Sequence, residues 1–291
     1  MQPLTYLFDF EYTNDKTRPY VMQEFAQNGA HNLVLTDTLI KQVEAESHMA
    51  GKLRQNLKDT GMAFVDSHAP FGTWEDLDLP MEDCRRTMIE RKRLAMCIAS
   101  DFGVDTITIH VGNANREIID MGYSFAQCDE AIARSLDELL PLAEKLGMVI
   151  CIENIWCPTN TADKLLELIR RFDSEHLGIC YDAGHANLMK CNRGVEESSP
   201  ENFFRSFGLP VPYDDRILEK LLPHVVNCHL HDNNGIFDQH RIFGEGNVDW
   251  AHDIPLLKQA PRLRSFQSEV VPVLTGAGIK DLVSKFTALM A

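Results

Sequence analysis

The chain lacks an excess of positive charge. Lysine and arginine total 28 against 43 aspartates and glutamates, which gives a formal net charge of −15. A protein that grips DNA or RNA nonspecifically needs a basic surface, because contacts with phosphate supply most of that affinity. The composition therefore disfavours nucleic acids, and equally anionic membranes, as partners.

The sequence also lacks a CxxC pair and a long apolar run. Its eight cysteines are scattered, and Cys151, Cys180 and Cys228 lie in apolar stretches where cysteine acts as a small hydrophobe. No run approaches the ~18 apolar residues of a membrane helix, and the opening MQPLTYLFDFEY does not resemble a signal peptide. We expect a reduced cytoplasmic protein without a membrane span.

A glycine-rich turn is missing where a dinucleotide-binding fold would need one. The first predicted strand, residues 5–10, runs into Glu11 and Tyr12 without a GxGxxG pattern, so we expect no nucleotide cofactor. Seven further apolar stretches predict strands and alternate with amphipathic helical patterns, of which residues 39–59, 83–102 and 125–146 are the longest. The other predicted strands are residues 32–36, 63–67, 106–110, 148–153, 177–181, 225–230 and 264–270.

Eight strands that alternate with helices specify a parallel sheet with right-handed crossovers. The number of units and the length of 291 residues favour one α/β domain over residues 1–291, a (β/α)8 TIM barrel. An open doubly wound sheet is the alternative.

Histidine, aspartate and glutamate recur where the predicted strands end. In a barrel, side chains at the carboxyl ends of the strands face one pocket, and these residue types are the ligands of zinc, manganese, cobalt or iron. Any one of them has a structural explanation, such as capping a helix, but together they would repel or lie unpaired without a cation. The sequence therefore predicts a metal site built from His68, His110, Glu153, Asp182, His185, His229, Asp238, His240 and Glu269.

Two segments are longer than usual β/α loops. Residues 70–81 and 187–215 would lie on the rim of the pocket, where such insertions can form lids. Trp74 and the group of Phe203, Phe204 and Phe207 are candidates to cover a ligand there, with packing onto the barrel as the alternative.

The order of motifs carries a family resemblance. The segments SHAPF, TIHVG, IEN, YDAGHAN, HLHD, DQH, GEGNVDW and SEV resemble the xylose isomerase-like TIM-barrel superfamily over residues ~60–275. That superfamily includes sugar and sugar-phosphate isomerases and epimerases, D-tagatose 3-epimerase-like enzymes, inosose dehydratases and the endonuclease IV family. Pairing of chains into a homo-oligomer is expected only by analogy with such barrels.

The epimerase-like members imply a single divalent cation, Mn²⁺, Zn²⁺, Co²⁺ or Mg²⁺. The matching ligands here are Glu153, Asp182, His229 and Glu269, and the resemblance implies that Glu153 and Glu269 also move the proton. The carbohydrate substrate would then be contacted by His68, His110, His185, His231 and Arg241, and a metal ligand or a hydrogen-bond donor to a ligand are the alternatives for His231. For Arg241, which could bind a phosphate or carboxylate, a solvated surface position is the alternative.

The endonuclease IV family implies a different arrangement, three zinc ions with nine ligands. Five residues would join the same four, namely His68, His110, His185, Asp238 and His240. The net charge of −15 runs against a phosphodiesterase, and LTYLFDFEY shows no clear equivalent of that family's N-terminal motif. A dehydratase that expels a β-hydroxyl, and a binding barrel without catalysis, remain alternatives to the isomerase.

Overall fold

The structure is a computed structural model that describes residues 2–8, 13–46, 48–113 and 115–291. Its eight strands are all parallel and are ordered β3-β2-β1-β8-β7-β6-β5-β4. A parallel bridge between His68 and Thr108 joins the two ends of this sheet. The strands are β1 (Leu4–Tyr6), β2 (Asn32–Leu35), β3 (Ala63–Ser67), β4 (Thr106–Ile109), β5 (Val149–Glu153), β6 (Leu177–Asp182), β7 (Val225–Leu230) and β8 (Phe266–Ser268).

The predicted (β/α)8 barrel is confirmed, with the strands in a nearly closed ring. Every residue of β4, β5, β6 and β7 is buried, as expected of strands that helices cover on the outside and side chains fill on the inside. This explains why runs such as VICIE are apolar almost throughout.

Helices surround the ring and separate successive strands. The longest, α6, begins with a capping box between Ser124 and Gln127 and ends at Gly147, whose φ of 65° suits glycine. A short 3-10 turn covers Leu222–His224. The helices are α1 (Arg18–Gln27), α2 (Asp37–Ala45), α3 (Met49–Thr60), α4 (Glu82–Asp101), α5 (Asn115–Asp120), α6 (Phe125–Leu146), α7 (Ala162–Phe172), α8 (Ala183–Met189), α9 (Ser199–Ser206), α10 (Ile217–Leu221), α11 (Trp250–Leu257), α12 (Pro272–Thr275) and α13 (Ile279–Met290).

The boundaries of several elements differ from the sequence-based prediction. The helix predicted over residues 39–59 is two helices, because Glu46 takes extended angles, φ −137° and ψ 100°, that end α2. Strand β8 is shorter than residues 264–270, although Arg264 N and Glu269 N still donate to the carbonyls of Val226 and Leu230 on β7. Of the first predicted strand, residues 9 and 10 lie outside the described residues. Within the described part of the chain, no helix is both long and apolar enough to cross a bilayer.

The loop that follows β3 is anchored by buried polar groups. Lys92 donates to the carbonyl of Pro70, and Asp76 accepts from the backbone N–H groups of Gly72 and Asn113, both at 2.9 Å. Asp78 accepts from the Asn115 amide. These contacts tie the loop to α4 and to the segment after β4, so the rim of the barrel is fixed on this side.

We predict that Asp78 makes stability fall as the pH rises from about 4 to about 8. Burial, with the nearby charge of Asp76, raises the pKa of Asp78 to about 8. Because this folded-state pKa exceeds the unfolded value, folding favours the protonated carboxyl, and its contribution is complete below about pH 4 and is lost as the pH rises.

Urea unfolding of the parent and of Asp78→Asn at about pH 5 and pH 8 measures this effect. The advantage of the parent over Asp78→Asn should shrink by at least about 2 kcal/mol between the two pH values. Asp83→Asn, which changes an exposed aspartate of α4, is the control. A parent-to-Asp78→Asn difference that does not change with pH would contradict the prediction.

Candidate metal centre

Four side chains from neighbouring strands converge at the carboxyl end of the barrel. Glu153 ends β5, Asp182 ends β6, His229 lies in β7 and Glu269 follows β8. The Nδ1 atom of His229 lies 3.2 Å from Glu153 Oε1, 3.1 Å from Glu269 Oε1 and 4.0 Å from Asp182 Oδ2. Each of the four offers a ligand atom within 4.8 Å of the others. We call these four residues the inner cluster.

The inner cluster places three carboxylates around one imidazole, away from water. Glu153, Asp182 and His229 are at most 1% exposed, and the Glu269 side chain is 12% exposed. Asp182 Oδ2 has no hydrogen-bond partner among the described residues. Buried carboxylates at this separation are stable only if protons or cations compensate them.

The surrounding imidazoles show how strong this negative field is. Burial alone would raise the pKa of Glu153, but His229 with the hydrogen-bonded rings of His110 and His185 holds it well below the usual range. Burial would lower the pKa of His229, yet Glu269 and Glu153 raise it to about 10. A divalent cation would supply the same compensation, and carboxylate and imidazole donors suit Zn²⁺, Mn²⁺ or Co²⁺, with carboxylates also suiting Mg²⁺.

A second group shares Glu153 with the inner cluster. Glu153 Oε2 lies 3.1 Å from His110 Nε2 and 3.8 Å from His68 Nε2. The Nδ1 atom of His68 is held 2.8 Å from the carbonyl of Ala69, which leaves Nε2 facing the carboxylate. Both histidines stand where β3 meets β4, so the bridge that closes the barrel also builds this pair.

A third group combines three histidines with one aspartate, and we call it the outer cluster. It consists of His185, His231, Asp238 and His240. Asp238 Oδ2 lies 3.0 Å from His240 Nε2 and 3.8 Å from His185 Nε2. His231 connects the outer and inner clusters, because its Nε2 is 3.3 Å from Asp182 Oδ1 and 3.8 Å from Asp238 Oδ1.

Local backbone features make the outer cluster possible. The rings of His231 and His240 stack in parallel with centroids 3.8 Å apart, and His240 takes a φ of 45°, which is uncommon outside glycine. A Cβ atom on Gly184 would lie 2.0 Å from the His231 ring. The glycine of YDAGHAN is therefore needed at that position for His231 to enter.

All nine predicted ligands thus lie in three adjoining clusters, and His231 lies in the outer cluster. Arg241 belongs to none of these clusters. Its backbone pairs with Asp232, its guanidinium donates to the carbonyl of Glu245 at 3.2 Å, and it is absent from the walls of the cavity described next. A substrate contact by Arg241 therefore stays a prediction without a structural counterpart.

A cavity of about 350 Å³ opens above the clusters. The clusters contribute seven side chains to its polar lining, namely His68, His110, Glu153, His185, Asp238, His240 and Glu269. Its apolar walls include Phe71, whose ring centroid lies 4.6 Å from that of His110, and Trp156, 4.7 Å from His185. No lysine or arginine stands among the described residues that line it.

The two aromatic walls, Phe71 and Trp156, were not predicted from the sequence. Phe71 is part of SHAPF and Trp156 follows Glu153 by three residues. Their closeness in sequence to predicted metal ligands is the feature from which they could have been predicted. Of the aromatics that were proposed to cover a ligand, Phe203 lines the cavity, Phe204 is buried in the core, and Phe207 packs on Phe125. Trp74 is 51% exposed and does not line it.

These observations define a (β/α)8 barrel with its candidate site at the carboxyl ends of the strands. The family model described as xylose isomerase-like TIM barrel matches residues 26–261, and the chain belongs to that family.

Individual comparisons agree with this assignment. A crystal structure of a D-tagatose 3-epimerase-like protein has a TM-score of 0.72 at 21% identity, covering 99% of this chain and 96% of that one. A D-psicose 3-epimerase crystallised in the presence of D-fructose has a TM-score of 0.67 at 15% identity, covering 100% and 94%. Likeness at these identities shows the shared fold.

A curated relative is more similar in sequence. An uncharacterized protein of Methanocaldococcus jannaschii is 27% identical over 221 residues, which is 72% of this chain. The match spans 64% of that relative's length, just under two thirds.

We predict that Asp182→Asn loses divalent metal. An amide oxygen is a weaker ligand than a carboxylate, and Asp182 belongs to the inner cluster. Elemental mass spectrometry of protein purified without chelators or a His-tag should find at least one divalent ion per chain in the parent and roughly one fewer in the variant.

Asp37→Asn is the matched control, because Asp37 is a buried carboxylate of the same cavity that lies outside all three clusters. Its metal content should equal that of the parent. Equal metal content in the parent and Asp182→Asn would contradict the assignment of the inner cluster.

Proposed function

We propose that the chain is a divalent-metal-dependent isomerase or epimerase that acts on a small polyhydroxy carbonyl compound, a sugar or a sugar phosphate. One observation carries the proposal. Two carboxylates, Glu153 at the end of β5 and Glu269 just after β8, lie 3.2 and 3.1 Å from the Nδ1 atom of His229, at the floor of a small cavity. The likeness to solved sugar epimerases supports the same class of reaction.

The cavity favours a small neutral ligand. Its volume is near the lower end for ligand pockets, and the faces of Phe71, Trp156 and Phe203 suit the C–H faces of a sugar ring. Because the described lining residues include no lysine or arginine, a phosphate group would have no cationic side chain there. We therefore favour an unphosphorylated sugar within the proposed class.

A divalent cation held by the inner cluster would supply positive charge that acidifies the C–H bond beside the substrate carbonyl. The protein's own contribution is the pair of carboxylates. Glu269 is partly open to the cavity and can accept the proton, whereas Glu153 is enclosed by His110, His185 and His229. Return of the proton from the opposite side would invert the carbon, and return to the neighbouring carbon would shift the carbonyl.

Histidines and aromatics complete the site. The ring of His185 is fixed by a 2.9 Å contact between Nδ1 and the carbonyl of Asn154, so it can orient a substrate hydroxyl. His68 and His110 stand on the other side of Glu153 and would contact further hydroxyls. Phe71 and Trp156 exclude water, which strengthens the electrostatic contacts within the cavity.

Deuterium exchange tests the proposal. Metal-loaded protein incubated in D₂O with a panel of ketoses and aldoses should place deuterium at the carbon beside the carbonyl of at least one sugar, as read by NMR. Glu269→Gln should slow this exchange by roughly 10²–10⁴-fold, the usual contribution of a general base.

Glu245→Gln, which changes an exposed glutamate paired with Lys285, is the control and should exchange at the parental rate. If protein shown to carry metal exchanges no C–H proton in the whole panel, the proposal is wrong. A product lighter by one water would instead identify the dehydratase variant, which begins with the same proton removal.

A second function, a multinuclear zinc phosphodiesterase, is favoured by one observation. All nine ligands of that arrangement are assembled in three adjoining clusters. The net charge of −15 and the lack of a cationic side chain among the described lining residues oppose it, because a nucleic-acid backbone needs such contacts.

Asp238→Asn separates the two functions, since Asp238 belongs to the outer cluster alone. A phosphodiesterase would hold about three zinc ions, cleave a duplex with an abasic site, and lose that cleavage in Asp238→Asn. We expect no cleavage by the parent, and sugar exchange in Asp238→Asn within about tenfold of the parental rate.

A further inference from the structure

The interior of the barrel directly below the inner cluster is polar. Asp66 on β3, Thr108 on β4, Asn227 on β7 and Gln267 on β8 are each at most 1% exposed. Asn227 Nδ2 donates to Asp66 Oδ2 at 2.8 Å and to Thr108 Oγ1 at 3.1 Å. Branched apolar side chains usually fill this layer of a barrel, so the polar groups call for a specific explanation.

Four atoms of this region lack partners among the described residues. They are Asn227 Oδ1, both amide atoms of Gln267, and His229 Nε2. The three side chains are buried to 99% or more. A buried polar atom left unpaired costs about 1–3 kcal/mol, and four in one place would be a heavy penalty.

His229 links this layer to the inner cluster. Its Nδ1 faces Glu153 and Glu269 at 3.2 and 3.1 Å. When Nδ1 binds a cation, Nε2 carries the hydrogen of the ring, as it does in other histidines that ligate metals. The Nε2–H group is therefore a buried donor that needs an acceptor.

Strand register places the two amides beside that donor. Gln267 is the Cα partner of His229 in the β7–β8 ladder, and Asn227 precedes His229 by two residues. Paired residues of a parallel ladder, and residues two apart on one strand, point to the same face. Because Asn227 Nδ2 is already engaged by Asp66 and Thr108, its carbonyl oxygen is the atom left to serve His229 or Gln267.

We propose that Gln267 and Asn227 bind ordered water inside the barrel, that this water accepts the hydrogen of His229 Nε2, and that Gln267 is thereby a positioning residue for the inner cluster. An internal water makes two to four hydrogen bonds, and the four unpaired atoms supply both donors and acceptors for it. The direction of the His229 hydrogen bond and its consequence for metal binding rest on the proposed function, whereas the water held by Gln267 and Asn227 does not.

Zinc affinity measured against a chromophoric chelator tests the consequence. Gln267→Met keeps the length of the side chain but removes its polar atoms, and it should weaken Zn²⁺ binding by roughly 10–100-fold, the usual effect of losing such a partner. Gln267→Glu, which keeps a hydrogen-bonding group of the same shape, should restore most of the affinity.

Thr5→Val is the matched control. Thr5 pairs with Gln267 on its other side, is fully buried, and donates to the carbonyl of Phe266, so its loss should leave zinc affinity unchanged. Equal zinc affinity in the parent and Gln267→Met would overturn the positioning role.

NMR of the parent tests the water directly and does not depend on how the variants fold. The Gln267 side-chain amide protons should show magnetisation transfer to a long-lived water, with or without metal. In the zinc-loaded protein the His229 Nε2–H proton should do the same, and it should exchange faster in Gln267→Met. Absence of that transfer in the parent would overturn the inference. A parent that shows the transfer but binds no divalent ion would overturn the proposed function alone.

Discussion

The structure depends on the concentration of negative charge at one point of the barrel. Glu153, Asp182 and Glu269 surround His229 Nδ1 with almost no access to water. Such an arrangement is costly unless positive charge neutralises it. The flanking histidines respond to that field, and the strong upward shift of the His229 pKa is its clearest sign. A divalent cation is the simplest partner for this set of donors.

The strands and loops at this end of the barrel position these groups. The strand ends deliver Glu153 and Asp182, while the loop after β7 must fold back to deliver Asp238 and His240. Asp232 fixes that loop by accepting from the N–H groups of Asn233, Gly244, Val248 and the Trp250 indole. The positive φ of His240 is strain that this network can maintain. Gly244, Val248 and Trp250 belong to the GEGNVDW motif, so this motif supports the site by holding the loop in place.

Much of this could be predicted from the sequence. Strands buried on both faces leave continuous apolar runs, and barrel geometry then brings their final residues together, so both the fold and the nine candidate ligands were recoverable. Features that depend on three-dimensional contacts were not. Phe71 and Trp156 belong to no sequence pattern that marks a cavity wall. Arg241 lies away from the cavity because its backbone pairs with that of Asp232. The break at Glu46 interrupts a stretch whose pattern reads as one helix.

The character of the cavity supports the proposed sugar chemistry over the phosphodiesterase alternative. The three clusters could serve a multinuclear centre, but the chamber above them is small, aromatic on its walls, and without lysine or arginine among its described lining residues. Those properties suit a sugar better than a nucleic-acid backbone.

The central claim is that the inner cluster binds a catalytic divalent cation. Anomalous diffraction from crystals soaked with manganese, collected at the manganese edge, tests it most directly. We expect a peak bounded by Glu153, Asp182, His229 and Glu269. An ordered crystal with no peak there, or with manganese only at the outer cluster, would contradict it.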